Sequence, residues 1–316
     1  MPEVKNMHGK NIGIIDAGSN SIKLVIFHAS DEERFFLTEK YKINAQIGSY
    51  INNNGAMTEE GISVLLRSLQ ELAGTASRTD LAVLRITATA AVRNARNWKE
   101  IKSSAEELIQ LPFEVLNERL EAYYGYLAVK HTVPVRDCII ADLGGGSTEV
   151  SLMKSGDFFR FHSFPFGTLT LQRKFTCSTS GETNMEEMRN WILEQFCQLS
   201  WLKNINLPVV GIGGSAKAAG NITLKNRLDS APGLHLCTIS KNEIQQLNAL
   251  LLPLSLKERR KINGLPKKRA ATIIPALTVF EELVNLSGGP SFIVSENGLR
   301  EGMMYEELAR YPGYKA

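Results

Sequence analysis

The chain has 316 residues, 43% hydrophobic and 22% charged, with a formal net charge of +3. At ~100–200 residues per domain, this length predicts two domains with ordinary buried cores. The mild basicity suits a polyanionic ligand but falls short of the bias of nucleic-acid binders, so no nucleic-acid partner is expected. Cys138, Cys177, Cys197 and Cys237 form no C-x-x-C pair, and no histidine stands at zinc-finger spacing. That excludes a zinc-finger site and predicts buried, reduced thiols. The first residues, MPEVKNMHGKN, lack the apolar stretch of a signal peptide, and nowhere is there a run of about 20 apolar residues to span a membrane. A cytoplasmic protein with no membrane partner is expected.

In chain order, Ile12–Asp16 is an apolar run ending in an acid and a glycine turn, and Ile22–His28 follows with strand composition. The two predict a hairpin that opens a sheet. Ile62, Leu65, Leu66, Leu69 and Leu72 recur at helix spacing, which predicts a helix over Thr58–Ala73 with Thr58 as N-cap. Leu81–Thr87 reads as a buried strand. Asn97, with Glu100 three residues on, predicts a capping box and a helix through Ile109. A short strand over Phe113–Leu116 and a helix over Glu118–Lys130 follow. Beyond Pro134, Cys138–Asp142 is a second apolar run ending in an acid, and Glu149–Met153 continues as strand. Met185–Leu202 predicts an amphipathic helix after Asn184, and Pro208–Ile212 a strand ending in glycines. Ser240 and Glu243 form a second capping box before Ile244–Leu252. Ala270–Leu286 is mostly helical, with Pro275 as a kink or early-turn residue. Ser291–Ser295 is the last strand and Gly302–Ala309 the last helix. Alternating strands and helices predict an α/β protein.

The segment IIDAGSNSIKLVIF from Ile14 is echoed by IADLGGGSTEVSLM from Ile140. Asp16 matches Asp142, Gly18 matches Gly144, and Ser21 matches Ser147. One strand, Asp-x-Gly-x-x-Ser turn and strand is a simple hairpin. Two at matching offsets predict two similar domains, each presenting a glycine-rich loop.

Such loops suit phosphate chemistry. An Asp at a strand end has its carboxylate where a ligand reaches it, and glycines let backbone N–H groups approach an anion closely. Ser19, Asn20 and Ser21 in the first loop, and Gly144, Gly145, Gly146, Ser147 and Thr148 in the second, are the expected phosphate binders. Asp16 and Asp142 are the expected Mg²⁺ (or Mn²⁺) ligands, acting through water. A third turn, Gly211-Ile212-Gly213-Gly214-Ser215, runs from strand to helix, so Gly213, Gly214 and Ser215 are further phosphate candidates; tight turns also use glycine for steric reasons alone. Lys257, Arg259, Arg260, Lys261, Lys267, Lys268 and Arg269 form a basic stretch that reads first as a solvated face and second as a track for a phosphate chain.

DAGSNSIKLVIF, ADLGGGSTEV, GIGGSAKAA and SENGLREGMMYE occur in this order. From about Ile12 to Leu308 the chain resembles the exopolyphosphatase / guanosine pentaphosphate phosphatase (Ppx/GppA) family, in its short two-domain form, within the actin-like ATPase superfamily. The resemblance implies two similar actin-like (ribonuclease H-like) α/β domains around a central cleft, over 1–130 and 131–316, with the last helix, about 302–310, packing back on the first. It implies release of terminal phosphate from inorganic polyphosphate or guanosine pentaphosphate by metal-assisted water attack. Ala88–Ala95 is similar to the family segment A-T-x-A-x-R-x-A, which makes Arg93 a phosphate ligand. Asn117–Tyr123 matches the family's S-G-x-E-E-A-R in altered form and places Glu121 on the proposed general base. Glu149 stands where Lys23 stands in the first hairpin and is expected to hold the metal or the water. In SENGLREG, Gly298 and Gly302 are expected to permit tight packing. A kinase of the same fold would need an acceptor motif, and none is evident; a non-catalytic sensor of polyphosphate or alarmone is the second alternative. Whether the chain forms a homodimer is left open.

Overall fold

The computed structural model describes residues 9–30, 35–176, 183–227 and 233–310; the first eight residues and Cys177 lie outside them. The chain divides into two compact units, Met1–Tyr124 with Arg300–Ala316, and Gly125–Leu299.

The first unit contains β1 (Lys10–Ala17), β2 (Ile22–Ala29), β3 (Phe35–Ile43), β4 (Leu81–Ala88) and β5 (Phe113–Val115). They form a five-stranded sheet in the order β3-β2-β1-β4-β5. The first three strands are antiparallel, and β4 and β5 run parallel to β1. The second unit contains β6 (Cys138–Leu143), β7 (Thr148–Lys154), β8 (Asp157–Phe164), β9 (Val209–Ile212), β10 (Thr238–Ser240) and β11 (Ser291–Val294). Its six-stranded sheet has the order β10-β11-β9-β6-β7-β8. Traced from β8, the run β8-β7-β6-β9-β11 repeats β3-β2-β1-β4-β5 in order and strand direction, with β10 added at the edge. The sequence echo is therefore a repeat of topology.

Local chemistry explains most elements. Thr58 accepts the Gly61 N–H and caps the helix Glu59–Ala76, whose Leu65, Leu69 and Leu72 join the first core with Ile15, Leu24 and Phe113. Asn184 caps Met185–Cys197, and Ser240 with Glu243 forms the expected box before Lys241–Leu251. Pro275 lies in the first turn of Ile273–Ser287, where a missing N–H costs no intrahelical bond.

Four expectations need correction. Cys138 and Cys237 are buried as expected, but Cys197 is exposed. Asn97 makes no cap bond; its amide instead holds the Met57 backbone, accepting from N–H at 2.9 Å and donating to C=O at 3.0 Å. The helix expected to reach Leu202 stops at Cys197, and a separate 3₁₀ turn covers Ser200–Leu202. Strands β3 and β8 were not foreseen. Both lie at sheet edges, and most of their residues are exposed or half-exposed.

The last helix, Leu299–Ala309, packs into the first unit. A Cβ on Gly302 would fall 1.8 Å from the Tyr124 carbonyl oxygen, so only glycine permits this approach. Arg85 beneath it is buried and grips Glu114 with two nitrogens while also donating to Glu306 and the Tyr124 hydroxyl.

Candidate active site

In the first unit, β1 delivers Asp16 and β2 receives the chain at Ile22. The turn between them closes with the Gly18 N–H on the Ser21 carbonyl at 3.2 Å. Gly48 N–H donates to the Ser19 carbonyl at 2.9 Å, and Gln46 N–H to the Asn20 carbonyl at 3.2 Å. A trans peptide points its C=O and the following N–H in opposite directions. Tying these carbonyls back therefore turns the Asn20 and Ser21 N–H groups to the other side of the loop.

The second loop is built alike. Gly144 N–H reaches the Ser147 carbonyl at 3.0 Å. Thr168 and Leu169, at the N-terminus of the helix Thr168–Phe175, donate to the Gly144 and Gly145 carbonyls, both at 2.9 Å. The Gly145 and Gly146 N–H groups thus turn away from that helix. The packing demands glycine, because a Cβ on Gly167 would lie 2.5 Å from the Gly145 carbonyl carbon. Thr148 donates its hydroxyl to the Phe166 carbonyl at 2.6 Å, so this side chain braces the loop. Ser147 is buried with it.

Gly213 has a φ of +77°, and a Cβ there would sit 2.6 Å from the Asp142 carboxylate. The third turn is thus pressed against Asp142. A Cβ on Gly214 would overlap the Arg269 guanidinium at 1.8 Å. Arg269 Nη1 donates to Ser215 Oγ at 3.3 Å, and Ser215 in turn donates to the Leu143 carbonyl at 3.0 Å. Burial pushes the Arg269 pKa down, and the Asp142 carboxylate acts against that shift. Arg269 was hidden in a basic run that reads as a solvated face. Its neighbours Lys267 and Lys268 are exposed, as that reading implies.

Arg93 and Glu121 are brought together. Arg93 ends the short helix Ala90–Arg93, and Glu121 stands in the first turn of Glu118–Thr132. Arg93 Nη1 donates to Glu121 Oε2 at 2.5 Å and to the Leu116 carbonyl at 3.1 Å, and the two side chains are 12% and 10% exposed. Asn117, one of the altered positions, accepts the Leu120 N–H at 2.9 Å and starts the helix correctly. Arg300 was not foreseen: its Nε lies 3.9 Å from Asp16 Oδ2, and its Nη1 is buried with no hydrogen-bond partner among the described residues. An arginine in the first turn of a helix reads as solvated, and no periodicity reveals a partner that far away in sequence.

Asp16 and Asp142 sit in opposite electrostatic settings. Asp16 pairs in register with Lys23 and has Arg300 nearby, so its surroundings are cationic. Asp142 pairs in register with Glu149. Like charges opposite each other across a strand pair are destabilising unless a cation compensates. Arg269 compensates in part, and Glu149 Oε1 accepts from the Ser163 hydroxyl at 2.9 Å. Among the described residues no group of three or more His, Cys, Asp or Glu is arranged to hold a metal. Mg²⁺ does not need one, since it is bound through one or two carboxylates with water and substrate phosphate completing the octahedron. The Asp142–Glu149 pair fits that requirement, and Asp16 among its cations fits it less well.

The family model described as the Ppx/GppA phosphatase family matches residues 25–311. The chain belongs to the Ppx/GppA phosphatase family. It is 25% identical over 306 residues to a bifunctional 3-dehydroquinate synthase/phosphatase of Fusobacterium nucleatum, covering 92% of this chain and 46% of that protein. The chain thus spans about half the length of that relative. Exopolyphosphatase 1 of Mycobacterium tuberculosis is 23% identical over 302 residues, covering 94% of this chain and 88% of that one. Among solved structures, an Aquifex aeolicus Ppx/GppA family member matches with a TM-score of 0.81 at 24% identity, over 95% of this chain and 98% of that chain. An exopolyphosphatase from Cytophaga hutchinsonii matches with a TM-score of 0.84 at 22% identity, over 96% and 99%. Likeness at that identity establishes the two-domain actin-like fold of the Ppx/GppA proteins for this chain. None of the helices in the described residues is long and apolar enough to cross a membrane.

Proposed function

We propose that this Ppx/GppA protein releases terminal phosphate from a phosphoanhydride chain, with inorganic polyphosphate as substrate class. The observation that carries the reading is the twin hairpin whose carbonyls are tied back, which turns paired N–H groups outward in both loops. Family membership and the exopolyphosphatase names of the mycobacterial and Cytophaga relatives support it.

In this reading each unit offers its own anion-binding nest, the N–H groups of Asn20 and Ser21 in the first and of Gly145 and Gly146 in the second. Arg300 donates its orphaned Nη1 to the chain, and Arg269 neutralises charge beside the third turn. Asp142 and Glu149 would hold Mg²⁺ or Mn²⁺, which supplies charge neutralisation and polarises the phosphoryl group when bound. Glu121 takes a proton from the attacking water, and Arg93 fixes the carboxylate in place for that step. Phosphoryl transfer needs little more than such positioning and electrostatic stabilisation.

The test is phosphate release on polyphosphates and on guanosine pentaphosphate, with and without Mg²⁺. Mg²⁺-dependent release from polyphosphate is expected. Tight binding of polyphosphate without release would overturn the hydrolase reading in favour of a sensor.

A further inference from the structure

A cavity lies in the second unit, between the β7–β8 ribbon and the segment leading into β9. Its volume is about 460 Å³, and its lining includes Leu152, Lys154, Phe159, Arg160, Trp201 and Leu207. That size falls in the ~300–1,000 Å³ range of small-molecule sites. One wall is pinned. Asn204 and Asn206 donate their N–H groups to the Leu286 and Ser287 carbonyls at 3.0 and 2.8 Å, which fixes the turn that carries Trp201 toward Leu207. The floor is the buried Leu152.

The mouth is unusual. Leu152 pairs with Arg160 and Met153 with Phe158, so Phe159 is the extra residue of a β-bulge. A bulge re-aims a side chain, and here it leaves Phe159 55% exposed. Lys154 Nζ lies 5.6 Å and the Arg160 guanidinium carbon 5.5 Å from the centre of that ring. Each cation is attracted to the ring, but the two repel one another. An anion between them would turn that repulsion into two charge-assisted contacts. Trp201, Leu152 and Leu207 offer an apolar wall and an aromatic face rather than further cations, and the one carboxylate brought to the lining, Asp137, is held by the Ser155 N–H at 2.8 Å.

We propose that this cavity binds a nucleoside phosphate, with its base against Trp201 and its phosphate at Lys154 and Arg160. A bare phosphate chain would satisfy the mouth and leave the apolar wall unused. Phe159 is a positioning residue that gathers the two cations. The proposal is independent of the hydrolase reading, because none of these residues belongs to the loops assigned to it.

The experiment is calorimetric titration of the intact protein with ATP and with GTP, alongside tripolyphosphate and adenosine as half-ligands. Quenching of Trp201 fluorescence, identified with Trp201→Phe, reports the site directly. Both nucleotides are expected to bind and to quench, with each half-ligand at least about tenfold weaker, as expected when one set of contacts is lost. Phe159→Ala and the double change Lys154→Glu with Arg160→Glu, all at exposed positions, should each weaken nucleotide binding about tenfold or more. Phosphate release from polyphosphate should stay unchanged in both. Nucleotide affinity that is unaltered in these variants, binding equalled by tripolyphosphate, or no Trp201 response at millimolar-scale nucleotide would each overturn the proposal.

Discussion

Replacing Glu121 with Gln separates proton acceptance from every other role of that side chain. The carboxylate lies 2.5 Å from Arg93 Nη1 and is 10% exposed. A neutral amide keeps an oxygen to accept that hydrogen bond. The stability loss should therefore stay below the ~3–5 kcal/mol of stripping one member from a buried ion pair. General-base catalysis contributes ~10²–10⁴-fold, or about 2.7–5.4 kcal/mol of barrier at 1.36 kcal/mol per decade. Phosphate release from polyphosphate at saturating Mg²⁺ should fall by that factor, while polyphosphate binding and the thermal melt change little. The assay is inorganic phosphate release on the purified variant, with circular dichroism to confirm folding. A folded Glu121→Gln protein with full turnover would refute the assignment. If Glu149→Gln were then inactive, Glu149 would be the base.

Asp142→Asn removes a charge without changing size, so activity should fall and its Mg²⁺ titration shift to higher concentration; an unchanged titration would remove Asp142 from the metal site. Gly214→Ala puts a methyl group 1.8 Å from the Arg269 guanidinium and must displace it. A displacement on the ångström scale costs about 10²-fold in rate, so phosphate release should drop steeply at nearly constant melting temperature, and unchanged kinetics would show that Arg269 has no part in the reaction. Burial, with Asp137 assisting, pushes the Cys138 thiol up to about 12. Below that pH it is protonated, and only the thiolate reacts. At about pH 8, therefore, a thiol reagent should label exposed Cys197 and spare Cys138 until the protein is unfolded, as peptide mass spectrometry would read out.

Much of the candidate site was legible because its signal is local. An apolar strand, a terminal Asp and a glycine turn are adjacent in sequence, so the echo between Asp16 and Asp142 could be seen before any folding. The register then explained an asymmetry already visible in the residues, with Asp16 opposite Lys23 and Asp142 opposite Glu149. The capping residues Thr58 and Ser240 were legible for the same reason, since a cap bond spans three residues.

The rest depended on partners far apart in the chain. Asn97 carries a capping-box pattern, yet its amide is taken by Met57, forty residues earlier. Nothing local showed that the Ser19 and Gly144 carbonyls would be tied back by Gly48 and Thr168, although those bonds turn the N–H groups outward. Arg269 looked like an ordinary surface cation and nothing in the sequence singled out Arg300; only packing against Gly214 and proximity to Asp16 set them apart. By itself the sequence determined the repeated hairpins, the caps at Thr58, Asn184 and Ser240 and the family, all carried by spacing along the backbone. Tertiary structure alone decided which hydroxyls brace the loops, which cations reach them and which way their N–H groups point, because each of those depends on a contact that chain separation conceals.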